Sequence, residues 1–178
     1  LGGVRQQFSS ALEVELAVRG RAFWRGFQEA FDYPCPYYED GYLLVTGNAD
    51  TWAALQAAAD VQRAAGAPDV ELIAPGGLEA VAPWLSSDGL LGGSYTPLDG
   101  RFNPTDGLYG LARAAKRLDV VIHEQTPVDS FARMPSGWRV SAGSQTWDAN
   151  RLVVATGLAA PAMLAPYGLE LEISPLWL

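Results

Sequence analysis

Arg5 is the residue whose chemistry is easiest to name. It stands in the run Gly2-Gly3-Val4-Arg5-Gln6-Gln7-Phe8, a cation among polar amides, with an aromatic ring three positions on. A guanidinium is a rigid fork of donors that matches a carboxylate with two parallel hydrogen bonds. A solvated loop arginine is the other reading, and the spacing alone leaves both open. Gly2 and Gly3 permit the backbone to pass close to a ligand. A second candidate closes the run Leu152-Val153-Val154-Ala155-Thr156-Gly157. Its apolar stretch suits a strand buried on both faces of a parallel sheet. Ligands of open α/β sheets gather beyond the carboxyl ends of such strands, which directs attention to Ala155, Thr156 and Gly157. A core strand ending in a turn glycine has the same pattern.

Other chemistries are poorly supplied. With one histidine and one cysteine in the whole chain, a zinc or iron–sulfur site is not expected, nor is a cysteine–histidine pair or serine–histidine triad. His123 ends an apolar run and reads as structural. Cys35 sits between Pro34 and Pro36 with no cation to lower its pKa, so it reads as inert. Tyr37, Tyr38 and Tyr42 flank a turn and suit either a pocket wall or sheet packing.

The elements that would position these residues follow from local patterns. Ser10 and Glu13 form a capping box at the start of a helix, with Leu12, Leu16, Phe23 and Phe27 as its apolar stripe, ending near Phe31 and Asp32. Asp40-Gly41 predicts a hairpin over residues 37–45. A second helix spans about 49–65 with Gly66 beyond it. A short strand at 70–73, a short helix at 78–81 and a glycine-weakened strand at 89–95 come next. Asn103 and Pro104 are a good cap and first position for a third helix, with Leu108, Leu111, Ala112, Ala115 and Leu118 as the expected buried face. That helix would cross over between parallel strands, one of them at 120–123 and of the same kind as 152–155. Between them, short alternating runs over 128–131, 137–141 and 145–149 read as a three-stranded antiparallel meander.

Composition sets limits. The chain has 178 residues, almost half of them apolar, enough for one ordinary domain or two small interleaved ones. A net charge of −8 argues against a nucleic-acid partner. No run approaches the roughly 20 apolar residues of a membrane span. One cysteine fits a reducing compartment, and a cytoplasmic location is the expectation. The chain begins at Leu inside a glycine-rich loop and stops within the strand-like 174–178, so it reads as an interior portion of a longer protein.

In order, the chain gives a glycine–arginine loop and long helix, a mixed-sheet excursion, D-G-x-x-N-P before a helix, a strand, a meander, and A-T-G. This order resembles the flavoproteins of the D-amino-acid oxidase, sarcosine oxidase and glycine oxidase superfamily. The Gly2–Phe8 loop is similar to the sarcosine oxidase and sarcosine or proline dehydrogenase branch. The resemblance covers nearly the whole chain through short motifs. It implies an α/β with α+β fold, a Rossmann-like FAD-binding domain (residues 1–32 and 104–168) interleaved with a mixed-sheet substrate domain (33–103 and 169–178). It implies FAD as cofactor, an amine or amino-acid substrate of sarcosine, proline or glycine type, and possible homo- or hetero-oligomers. Arg5 would hold the substrate carboxylate. Gly2 and Gly3 would pass near the flavin, Val128 would hold the adenine by its backbone, and Ala155, Thr156 and Gly157 would lie along the dinucleotide. The sequence has no G-x-G-x-x-G turn. The resemblance therefore places the pyrophosphate cradle and the ribose-binding acid before this chain and the flavin-facing segment after it, with weak FAD binding by the chain alone. A glycerol-3-phosphate dehydrogenase-like enzyme and a non-catalytic flavoprotein scaffold are the alternatives within the same fold.

Overall fold

The computed structural model describes residues 2–174. The chain forms two compact units, Leu1–Val121 and Ile122–Leu178. In chain order the first unit contains β1 (Gly3–Val4), α1 (Ala11–Arg25), α2 (Phe27–Phe31), β2 (Tyr42–Thr46) and α3 (Ala49–Ala64). It continues with β3 (Glu71–Ile73), α4 (Pro75–Val81), β4 (Gly92–Thr96), β5 (Gly100–Arg101) and α5 (Pro104–Arg117). The second unit contains β6 (Ser130–Met134), β7 (Gly137–Ala142), β8 (Gln145–Ala149) and the short helix α6 (Ala160–Leu164).

The helix caps agree with the sequence. The Ser10 hydroxyl oxygen accepts from the Glu13 backbone N–H at 3.3 Å. The Glu13 carboxylate answers by accepting the Ser10 hydroxyl at 2.6 Å, instead of the backbone amide a capping box would supply. Asn103 Oδ1 accepts from the Thr105 N–H at 3.0 Å, with Pro104 as the first residue of α5.

The buried faces of α1 and α5 differ from those expected. On α1 the buried residue is Val14, whereas Leu16 is 59 % exposed and Leu12 and Phe23 are also exposed. α1 ends at Gly26, and fully buried Phe27 opens α2, so it is not part of one continuous helical stripe with Leu12, Leu16 and Phe23. On α5 the residues turned inward are Gly107 and Gly110, while Leu108 is 64 % exposed and Leu111 and Leu118 are exposed too. A Cβ on Gly110 would come within 2.7 Å of the Phe27 ring, so the missing side chain is what lets α5 press against the aromatic cluster.

Three antiparallel sheets result. β1 pairs with β5, setting Gly3 opposite Arg101 and Val4 opposite Gly100. β4 lies between β2 and β3. The expected hairpin around Asp40-Gly41 is not formed. Gly41 does take φ +75, but Tyr38 bridges to Arg101 and Tyr42–Thr46 pairs with Gly92–Thr96. Long-range pairing has overridden the local turn signal. The meander is present as β6–β7–β8, with β6 starting two residues later than expected. The runs at 120–123 and 152–155 are not in strands among the described residues, and Val121 and Val153 are 74 % and 86 % exposed. A buried parallel strand requires partners on its edges and cover on both faces. Neither run finds a partner strand among the described residues.

Candidate functional site

The first unit places Arg5 in the lining of a cavity. β1 brings the chain in under two constraints. Gly2 adopts φ +64, and the Phe102 carbonyl occupies the place a Gly2 side chain would take. The Phe102 N–H then donates to the Gly2 carbonyl at 3.1 Å. Gly3 is different: a Cβ there would meet nothing within 4 Å, so its backbone is open to an approaching ligand.

Beyond β1 the loop is tied down residue by residue. The Gln6 backbone N–H donates to both oxygens of Asp99, at 3.2 and 3.0 Å, and the Gln6 side-chain amide donates to Asp99 Oδ1 at 2.8 Å. Gln7 Nε2 donates to the Tyr42 carbonyl at 2.7 Å. Gln62 Nε2, from α3, donates to the Phe8 carbonyl at 3.0 Å. Gln6, Gln7, Gln62 and Asp99 are all buried. The three amide nitrogens and the Asp99 carboxylate are bonded in this way, while the side-chain oxygens of Gln6, Gln7 and Gln62 have no partner among the described residues; the bonds that are made tie the loop under Arg5 to three other parts of the chain.

The Arg5 guanidinium lies 4.9 Å from the Phe8 ring centre and 5.7 Å from that of Tyr42. Each such contact contributes from about 0.5–1 kcal/mol at exposed sites to about 2 kcal/mol when desolvated. Arg21, Arg25, Arg101 and Arg139 each lie within 4.0 Å of a carboxylate. Arg5 has no such carboxylate partner among the described residues. Arg19, Arg133 and Arg151 also have none, and Arg5 differs from them in lining a cavity.

The cavity beside it measures about 780 Å³. Gly2, Gly3, Ala17 and Gly20 give it a small-residue wall, and Leu16, Trp24 and Phe102 add apolar surface. Arg5 and Glu13 are the charged groups of its lining. Trp24 and Phe102 are stacked at 3.8 Å and 17°. The lining thus sets open glycine backbone beside apolar surface, with one cation and one carboxylate among its residues.

The remaining candidates lie in the second unit. Val128 is exposed and immediately precedes the first meander residues, where the Asp129 N–H donates to the Ser141 carbonyl at 2.9 Å. Ala155 and Thr156 are exposed, and Gly157 adopts φ +56 with nothing within 4 Å of an added Cβ. The turn that the sequence assigned to Gly157 is therefore real, and its backbone is accessible.

Some titratable groups are moved from their ordinary values. Burial raises the Asp99 carboxyl; the Gln6 hydrogen bonds oppose this and nearby Asp69 adds to it. Burial, followed by the Asp99 charge, pushes the Tyr37 hydroxyl up to about 12. Cys35 is buried, and burial and Asp106 both raise its thiol, in keeping with an inert residue. His123 is exposed, with its ring 4.7 Å from Trp147. Among the described residues no group of His, Cys, Asp and Glu is arranged to hold a metal ion, and no helix is long and apolar enough to cross a membrane.

Sequence reasoning missed Gln6, Gln7, Gln62 and Asp99, which hold the loop, and Trp24 and Phe102, which line the cavity. Asp99 carried only a turn signal and the glutamines none, because their roles depend on partners 35 to 93 residues away.

A family model for FAD dependent oxidoreductases (DAO) matches residues 1–176. FAD-dependent oxidoreductase domain-containing protein 1 of Bos taurus is 30% identical over 152 residues, covering 82% of this chain and 31% of that protein. Mitochondrial dimethylglycine dehydrogenase of Rattus norvegicus is 31% identical over 105 residues, 58% of this chain and 12% of its own length. Among solved structures, glycine oxidase from Geobacillus kaustophilus matches with a TM-score of 0.78 and 25% identity over 96% of this chain and 48% of its own. L-proline dehydrogenase from P.horikoshii shares the fold, with a TM-score of 0.83 at 23% identity over 98% of this chain and 46% of its own. The chain thus spans less than half the length of each. It belongs to the FAD dependent oxidoreductase family, flavoenzymes with a Rossmann-like FAD-binding fold.

Proposed function

We propose that this chain is part of an FAD-dependent oxidoreductase that oxidises a small carboxylated amine, of sarcosine, proline or glycine type, and that Arg5 holds the substrate carboxylate. The observation that carries the reading is the Arg5 guanidinium, near the Phe8 and Tyr42 rings in the lining of a cavity and without a carboxylate partner among the described residues. Relatives named for dimethylglycine and for glycine support a carboxylated amine as the substrate class.

FAD, when bound, supplies the acceptor for the hydride equivalent leaving the carbon next to nitrogen, and water hydrolyses the resulting imine. The chain's own residues bind and orient. Arg5 fixes the carboxylate end of the substrate, which places the neighbouring carbon within the cavity. Phe8 and Tyr42 limit the directions the guanidinium can take. Gly2 and Gly3 give a flat ring backbone to lie against, and Val128, Ala155, Thr156 and Gly157 are proposed as nucleotide contacts. No side chain need act as general base if the amine binds neutral. On this reading residues 1–32 and 104–168 serve the cofactor and 33–103 and 169–178 the substrate, with 175–178 outside the described residues.

A glycerol-3-phosphate-type substrate suits the cavity less well. A phosphate dianion would meet one cation, Arg5, and one carboxylate, Glu13, among the lining residues. Anaerobic mixing of the full-length, FAD-loaded protein with sarcosine, proline, glycine and glycerol 3-phosphate tests the proposal. Flavin bleaching by a carboxylated amine is the expected result. Bleaching by the phosphate alone, or by none of a broad amine panel, would overturn it, the last outcome favouring a scaffold.

A further inference from the structure

Arg5 is gripped from both sides by one short stretch of chain, Asp99-Gly100-Arg101. Before Arg5, the β1 residues Gly3 and Val4 pair with Arg101 and Gly100. After Arg5, the N–H of the Arg5–Gln6 peptide is held by both oxygens of Asp99, at 3.2 and 3.0 Å. That peptide plane sets the backbone angle at Arg5 and hence the direction in which its side chain leaves. The Gln6 side chain adds a third bond to the same carboxylate at 2.8 Å.

Asp99 is fully buried, and no cation lies within ion-pair distance of it among the described residues. Leaving a carboxylate there is costly unless its acceptor capacity is used. An asparagine of the same shape would offer one acceptor and one donor, and the donor would face a Gln6 N–H. Only an acceptor-only group takes three bonds from Gln6. Asp99 is itself fixed: its N–H donates to the Thr96 carbonyl at 3.3 Å, and its carbonyl accepts the Gly41 N–H at 2.8 Å. Gly41 adjoins Tyr42, whose ring is the second wall of the Arg5 site and whose carbonyl is held by Gln7. The Asp99 clamp therefore links the backbone of Arg5 to the aromatic residue that directs its guanidinium.

We propose that Asp99, through its three hydrogen bonds from Gln6, is a positioning residue that presents the Arg5 guanidinium to an incoming carboxylate. This rests on the reading that Arg5 binds that carboxylate. It requires no contact between Asp99 and the substrate.

The test uses the full-length, FAD-loaded protein and acetate as probe, titrated against the flavin absorbance with chloride at matched ionic strength as control. Wild-type protein binds acetate saturably, and Arg5→Ala weakens it. Asp99→Asn is expected to raise the acetate Kd about tenfold, the scale of one charge-assisted hydrogen bond, with flavin content unchanged. Combined with Arg5→Ala it should cause no further loss, because two residues acting through one contact are not additive. Gln6→Met, which removes only the side-chain bond and keeps the backbone N–H on Asp99, replaces Asp99→Asn if the latter does not fold, with a smaller expected rise in the acetate Kd of about threefold. An Arg5→Ala loss without an Asp99→Asn or Gln6→Met loss overturns the clamp and leaves the carboxylate reading standing. Losses that add overturn it as well. Acetate that does not bind, or that binds Arg5→Ala as tightly as wild type, removes the carboxylate reading and the clamp together.

Discussion

Trp24 and Phe102 stack with ring centres 3.8 Å apart and planes 17° from parallel, and α5 reaches this pair through Gly107. A Cβ at position 107 would lie 2.8 Å from the Phe102 ring and 2.9 Å from Trp24. Both rings belong to the cavity lining, so helix packing and site shape meet at this glycine. Gly107→Val is expected to destabilise by about 1–3 kcal/mol, the usual cost of overpacking a filled core. Urea unfolding checks this; an unchanged midpoint would show that the stack can yield.

Gly3 separates a functional glycine from a structural one. A side chain there meets no protein atom within 4 Å, whereas at Gly2 it would strike the Phe102 carbonyl. Gly3→Val in the full-length protein should leave the unfolding free energy within about 0.5 kcal/mol of wild type, as for a surface change, yet lower flavin content. Gly2→Val should lose stability. Normal flavin loading in Gly3→Val would remove Gly3 from the cofactor site.

Cys35 is buried, and its thiol is raised by burial and then by Asp106. The thiolate is the reactive form, so a disulfide reagent at pH 8 should label native protein far more slowly than protein in denaturant. Equal rates would contradict the packing of the 34–36 loop against Asn103, whose carbonyl lies 3.8 Å from the sulfur.

Asp99 gives a pH dependence of definite sign. Burial raises its folded-state pKa above the unfolded value, so between the two the folded protein holds more protons. Its contribution to stability is present below the unfolded carboxylate pKa and is lost as pH rises through the raised folded value. Urea unfolding of wild type and Asp99→Asn across that window should show wild type losing stability relative to the variant as pH increases. The opposite slope would mean that the Gln6 hydrogen bonds outweigh the burial.

What was legible in the sequence was what local chemistry decides. Ser10, Asn103 and Pro104 mark helix starts because their partners are within three residues. The meander followed from alternation and turn residues, and Arg5 was singled out by its chemistry and by the resemblance of its loop. The faces of α1 and α5 were misread because apolar periodicity says which side is greasy, not which side is covered. Gly107 and Gly110, weak as helix formers, turn out to be the contact surface of α5. Asp40-Gly41 signalled a hairpin, but Tyr38 and Tyr42 found partners at Arg101 and Thr96, 63 and 54 residues away, and no short-range rule sees those. The Asp99–Gln6 clamp, spanning 93 residues, was hidden for the same reason.

The carboxylate grip of Arg5 is tested most directly by steady-state kinetics of full-length, FAD-loaded wild type and Arg5→Ala on the carboxylated amine that bleaches the flavin, beside its decarboxylated counterpart. Loss of a bidentate charge-assisted pair should raise KM for the carboxylated amine by about 100-fold and leave the decarboxylated one nearly unaffected, with flavin content unchanged. Equal KM values for wild type and Arg5→Ala on the carboxylated amine would contradict the account.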